Sequence, residues 1–290
     1  MKNSTLLTLL LRIALPICWA LAIPASTLAQ ATWTGSSNTN WNNALNWSTS
    51  AVPGNTINVT IPGGLTNYPV VSSGGLQVKN ITINSSGSGA TLTIATGGSL
   101  TSSGTVTVDA NGTFAVTGGT FSSSTTITVN ASGILTASSG TLSNSGAISI
   151  SGTMTASGSA VNATGTLTIN VGGTLTVSGS TISASKPVSD NGTLNVSSGS
   201  LSTASGQGIS GNGNFAMSGG TVTVGTASTG GSDFNLHGTV DLSGGLLEIG
   251  HDFDLQSASG QTATGGTVEF MGVAGGAPFA TGTYQFYNVQ

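Results

Sequence analysis

The sequence predicts an all-β fold, a right-handed parallel β-helix in which three short strands make each coil of 19–21 residues. Three observations carry that expectation. First, only 4% of the 290 residues are charged, with 45 glycines and a single cysteine, so long stretches hold little but Gly, Ser, Thr, Ala, Asn, Val, Leu and Ile. Second, apolar and polar residues alternate within short runs, the period of a strand. Third, the runs recur. A Gly-x-(apolar)-x-(apolar) set starts at Gly112, Gly133, Gly152, Gly173, Gly192, Gly213 and Gly238, in steps of 21, 19, 21, 19, 21 and 25 residues. A second set runs through Ile127, Ile148, Leu167, Val188, Ile209, Phe234 and Phe253, in steps of 21, 19, 21, 21, 25 and 19. A third, at Phe121, Leu142, Leu201, Val222 and Leu247, lies between them and reads as looser near Val161 and Ile182.

The elements follow in chain order. Residues 1–29 have the layout of a secretory signal peptide: Lys2 and Arg12, an apolar run from Ile13 to Ile23, then small residues, with cleavage after Ala29 or Ala31. The run is too short for a transmembrane span, and Cys18 lies inside it, so the mature chain has no cysteine for a disulfide. Residues 30–66, with Trp33, Trp41, Trp47, Pro53 and Pro62, read as a cap whose indoles cover the first coil. The alternative for that segment is a sugar-stacking surface. Residues 67–290 are β-helix repeats. Phe114, Leu135, Met154, Leu175, Leu194, Phe215 and Val240 should face inward, with Val116, Ala137, Ala156, Val177, Val196, Met217 and Leu242 two positions on. Gly, Asn and Ser supply the turns between strands. Both 25-residue steps cross residues 225–231, which read as one surface insertion. Residues 283–290 alternate like a strand in full course, so the repeats are expected to continue past Gln290 or to be covered by a partner.

Charge excludes whole classes of function. Without the leader, Lys79 and Lys186 stand against eight acidic residues, a formal charge of −6. Neutralising phosphates needs Lys and Arg, and none of the remaining residues is Arg, so nucleic acid and anionic membrane surfaces are excluded as main partners.

Catalytic chemistry finds no foothold, and no catalytic, cofactor-binding or metal residue is assigned. A polysaccharide lyase needs a base among clustered carboxylates, yet only Asp190 lies near Lys186. His237 and His251 are too few and too scattered for a zinc site or a Ser-His-Asp arrangement, and are expected to face solvent. One acidic stripe stands out. With Phe234 and Phe253 inward, Asp233 should stack on Asp252, and Asn235 on Asp254, one coil apart. Like charges so placed repel unless a cation or proton intervenes, which leaves open whether Asp233, Asp252 and Asp254 hold calcium or form a solvated stripe. Recurrent Thr-x-Thr raises ice binding, but of the outward pairs in the first set only Thr153/Thr155 and Thr174/Thr176 are complete.

Several segments resemble a known group. Trp33-Thr34-Gly35, Asn40-Trp41, Asn46-Trp47-Ser48, Val52-Pro53 and Val59-Thr60-Ile61-Pro62 are similar to the start of large secreted surface proteins of Bacteroidota-type bacteria. Those continue into Gly-(Thr/Ser)-Leu-Thr-(Ile/Val) repeats of adhesin-like β-helices, and Gly265–Phe270 and Gly282–Val289 resemble their later repeats. Members often carry an acidic residue near the position of Asn58, which is an amide here, and commonly end in a type IX sorting domain, which nothing here resembles. The resemblance implies a secreted or cell-surface structural, adhesin-like protein without catalytic activity, whose partner is an extracellular glycan or surface component. Carbohydrate binding or degradation, and ice binding, are the alternatives.

Overall fold

The computed structural model describes residues 29–83, 89–226, 231–255, 260–271 and 280–281. They form a solenoid of about nine turns of stacked parallel strands. Among the described residues there is no α-helix, and one short 3-10 turn, Ala44–Asn46, is the only helical element. Residues 1–28 and 282–290, with the expected leader and the C-terminal strand, lie outside the described residues, as do residues 227–230 of the expected insertion.

Three columns of strands run the length of the stack. The first is a 12-stranded sheet beginning at Gln30–Thr32 and Asn58–Ile61 and passing through Ile127–Val129 and Phe253–Asp254 to Ala280–Thr281. The second and third share a 17-stranded sheet, because Asn214–Val224, Val240–Ile249 and Gln261–Phe270 each run unbroken round the corner between them. At that corner the pairing shifts register, and Gly220, Gly245 and Gly266 take φ of 79°, 86° and 81°, a bend that a Cβ would strain.

The register is the one that periodicity predicts. Phe114, Leu135, Met154, Leu175, Leu194, Phe215 and Val240 stack in order, and all are buried. Ile127, Ile148, Leu167, Val188, Ile209, Phe234 and Phe253 do the same in the first column. The third column corrects the reading. Val161 and Ile182 are not loose: they pair in register between Leu142 and Leu201, fully inside. At their corners Ser159 and Ser180 stand where Gly119 and Gly140 stood before, and the two buried hydroxyls lie 3.0 Å apart and satisfy each other.

As far as Gly192 the alternation of long and short steps has one source, while the next long step comes from a five-residue corner at 204–208, where earlier coils have three. Between the first and second columns the corner is either four residues, as at 130–133 and 170–173, or two, as at Ser151-Gly152 and Asn191-Gly192. Neither length disturbs the apolar column, because the strands on both sides keep their partners. Buried polar side chains finish other corners. Ser102 Oγ donates to Lys79 O (2.7 Å), Asn144 Nδ2 to Gly146 O (2.7 Å), and Thr203 Oγ1 to Gln207 O (2.6 Å). Each occupies an inward position without leaving the turn's carbonyl unpaired.

Candidate functional site

The tryptophan segment is interior. Trp33, Trp41 and Trp47 are buried, with rings edge-on at 5.0 Å (Trp33–Trp47) and 4.7 Å (Trp41–Trp47). Trp47 Nε1 donates to Trp41 O and Trp33 Nε1 to Asn67 O, each at 2.8 Å. Asn46, also buried, holds the segment together: its Oδ1 accepts from the backbone N of Ser37 and Asn38, and its Nδ2 donates to Asn38 Oδ1 and Asn40 O. The segment joins the stack through Trp33 N to Thr60 O (2.9 Å) and Trp41 N to Val70 O (3.2 Å). This corrects the sugar-stacking alternative, since an indole face enclosed by other rings cannot meet a sugar.

The outward faces are ladders of small polar groups. In the second column Thr91, Thr113, Ile134, Thr153, Thr174 and Thr193 stack in one row, and Thr93, Ala115, Thr136, Thr155, Thr176 and Asn195 in the next. Thr60, Thr82, Thr107, Thr128, Ser149, Thr168 and Ser189 make a third row in the first column. Towards the C-terminal coils the rows gain acid. Glu248 stacks on Glu269 and accepts from Thr223 Oγ1 (2.6 Å), while Asp241 accepts from Thr262 Oγ1 (2.8 Å) beside a groove lined by Asn195, Ala216 and Met217. The sequence reading missed the Glu248/Glu269 pair, which the 21-residue step would have revealed.

The expected acidic stripe exists, and it includes a histidine. Phe234 pairs with Phe253 and Asn235 with Asp254, which sets Asp233 against Asp252. His251 Nδ1 lies 2.7 Å from Asp233 Oδ1 and 3.2 Å from Asp252 Oδ1, and Asp252 N donates to Asp233 Oδ1 at 3.2 Å. The ligand atoms of the three residues all lie within 4.8 Å of one another. His251 is therefore not scattered: it sits one residue short of a coil from Asp233, and its side chain is part-exposed rather than free in solvent. The hydrogen bond to Asp233, reinforced by the charges of Asp252 and Asp233, raises its pKa above the ordinary 6.5. Exposed His237 lies on the same coil as Asp233, at the other end of the strand Phe234–Leu236, and is not one of the three grouped residues.

Asp190 is the second unusual acid. It is 0% exposed and continues a column in which Val108, Val129, Ile150 and Ile169 precede it. Its Oδ1 accepts from Gly192 N (3.0 Å), while Oδ2 is buried without a partner. The strands packed on either side, Leu167–Ile169 and Ile209–Gly211, bring no titratable group to it. Burial accordingly raises its pKa from 3.8 to about 6, against a smaller lowering by the Gly192 hydrogen bond. Lys186 is exposed, and among the described residues neither Lys186 nor Lys79 makes an ion pair.

Comparison with known proteins adds one match. A family described as a domain of unknown function (DUF8693) matches residues 32–131, the tryptophan segment and the first coils. No curated protein and no solved structure matches the chain. Among the described residues, no helix is long and apolar enough to cross a membrane.

Proposed function

We propose that this chain is an exported, non-catalytic rod of the cell surface or extracellular space, with a structural or adhesin-like role toward neutral polar partners such as glycans. The observation that supports it is the outward surface itself. Row upon row of Thr, Ser and Asn repeats at the coil spacing, and such hydroxyl and amide groups offer hydrogen bonds without charge. The leader-like first 29 residues and the resemblance to secreted surface proteins support export. With the indoles enclosed, glycan contact falls to these rows and to the groove beside Asp241.

The test is a glycan array probed with residues 30–290, alongside Thr155→Lys and Thr176→Lys, which crowd the second-column face without touching the core. Binding that these changes weaken supports an adhesive face. Turnover of any polysaccharide by the purified chain, or retention of the full-length chain in the cytoplasm on fractionation, overturns the proposal. A second reading, ice binding, rests on the in-register threonine rows, which Ile134 and Ala115 interrupt. Unaltered ice-crystal habit in the protein's presence would dismiss it.

A further inference from the structure

We propose that Asp233, His251 and Asp252 bind a divalent transition-metal ion of the zinc class, linking two successive coils. This goes beyond the surface role above and stands independently of it. The ligand set is one imidazole nitrogen and two carboxylate oxygens, converging from two neighbouring turns. Calcium needs six to eight oxygens and has little use for imidazole, whereas zinc takes nitrogen and oxygen at ~2.0–2.2 Å and is content with three protein ligands and water. Two atoms bound to one such ion lie roughly 3–3.5 Å apart. The observed 2.7 Å and 3.2 Å from His251 Nδ1 to the two carboxylates are close to that edge. Side-chain exposures of 35–40% leave room both for the small widening required and for water in the open positions.

The backbone beneath is already set. His251 N donates to Ser232 O (3.1 Å) and Phe234 N to Asp252 O (2.8 Å), fixing the two turns against each other. Directly inside, Phe234 and Phe253 stack with rings 5.6 Å apart and 12° from parallel, a rigid floor under the ligand-bearing residues. The two turns that carry the ligands are therefore fixed, and only side-chain adjustment remains for the three groups to close on a metal. Because the imidazole nitrogen is both proton acceptor and ligand, proton and metal compete for Nδ1.

Zinc chloride titrated calorimetrically into residues 30–290 tests this, with cobalt absorption as a second probe. One ion per chain is expected, with affinity rising with pH because the ion must displace any proton from the His251 ligand nitrogen. His251→Gln and Asp233→Asn should each weaken binding at least about tenfold, His237→Gln should not, and excess calcium should not displace the ion. If a variant melts early, the imidazole resonances of the unaltered protein decide: zinc must shift the signals of His251 and leave those of His237 in place. Failure to bind zinc, pH-independent binding, or affinity unchanged in His251→Gln overturns the proposal.

Discussion

Replacing Asp190 by Asn should make the protein more stable at neutral pH and leave it nearly unchanged in acid. The carboxyl lies in an aliphatic column, 0% exposed, with Oδ2 unpartnered. Its folded pKa of about 6 is above the ordinary 3.8, so the folded state holds the proton more tightly than the unfolded chain does. The stabilising contribution is thus complete below the unfolded value, is lost as pH rises towards the folded value, and is absent above it. About two pKa units at ~1.4 kcal/mol each put the full difference at ~3 kcal/mol. Asn has the shape of the protonated acid and cannot ionise, so it removes that dependence. Other carboxylates tilt the curve as well, and the quantity to follow is variant minus parent. For a cooperative melt the gap would approach about 6–12 °C near neutrality and vanish near the bottom of the window. Because solenoids open coil by coil, amide exchange at Gly192 and Gly213, which donate to Asp190 Oδ1 and Asp190 O, gives the local reading. A variant-minus-parent difference that stays constant across the whole pH range would refute the reasoning.

Other perturbations test register, capping and corner packing. Leu167→Asp places an unpaired charge in the column and should cost roughly 4 kcal/mol or more by thermal melting, while Thr168→Asp, on the half-buried outward face, should cost under about 1 kcal/mol. Equal effects would contradict the alternation. Trp47→Phe removes the donor to Trp41 O and should lower stability by about 1 kcal/mol or more, and Trp47→Ala by about 3–5 kcal/mol, with glycan binding by the remaining folded fraction unchanged. Gly173→Ala would set a Cβ 2.2 Å from Ile150 O and should cost about 2 kcal/mol or more in the same melts. Gly54→Ala meets nothing within 4 Å and should stay within about 0.5 kcal/mol, so a comparable loss there would dispute the packing argument.

Much of the architecture was legible because glycine and alternation repeat at nearly fixed intervals. The first and second columns could be written down residue by residue, down to the partner of each inward side chain. The third was obscured where serine replaces glycine at Ser159 and Ser180, a change in letters that keeps the geometry because the two hydroxyls pair. Asp190 was open to the same counting, since alternation from Val188 turns it inward, but an acid is not what an apolar column leads one to seek. His251 escaped for another reason. Its nearness to Asp233 exists only after stacking, 18 residues away in a chain whose coil step there is 19. The orientation of the tryptophans was undecidable from sequence, because an indole serves equally as lid or platform until its neighbours are placed.

The corner between the first and second columns makes this molecule a natural display frame. Four residues or two can fill it while the strands on both sides keep their partners, so the length of that edge is free, with only the glycine that closes each corner fixed by close packing. At the apex of one long corner Val171 is 85% exposed, and Gly172 has open space around it. A peptide loop grafted between them would project from the rod's side without shifting a single rung. Grafts at that corner and at 130–133, two coils below, would stand ~10 Å apart along the axis, twice the strand spacing. The chain thus offers a ruled edge on which foreign loops can be set at chosen intervals.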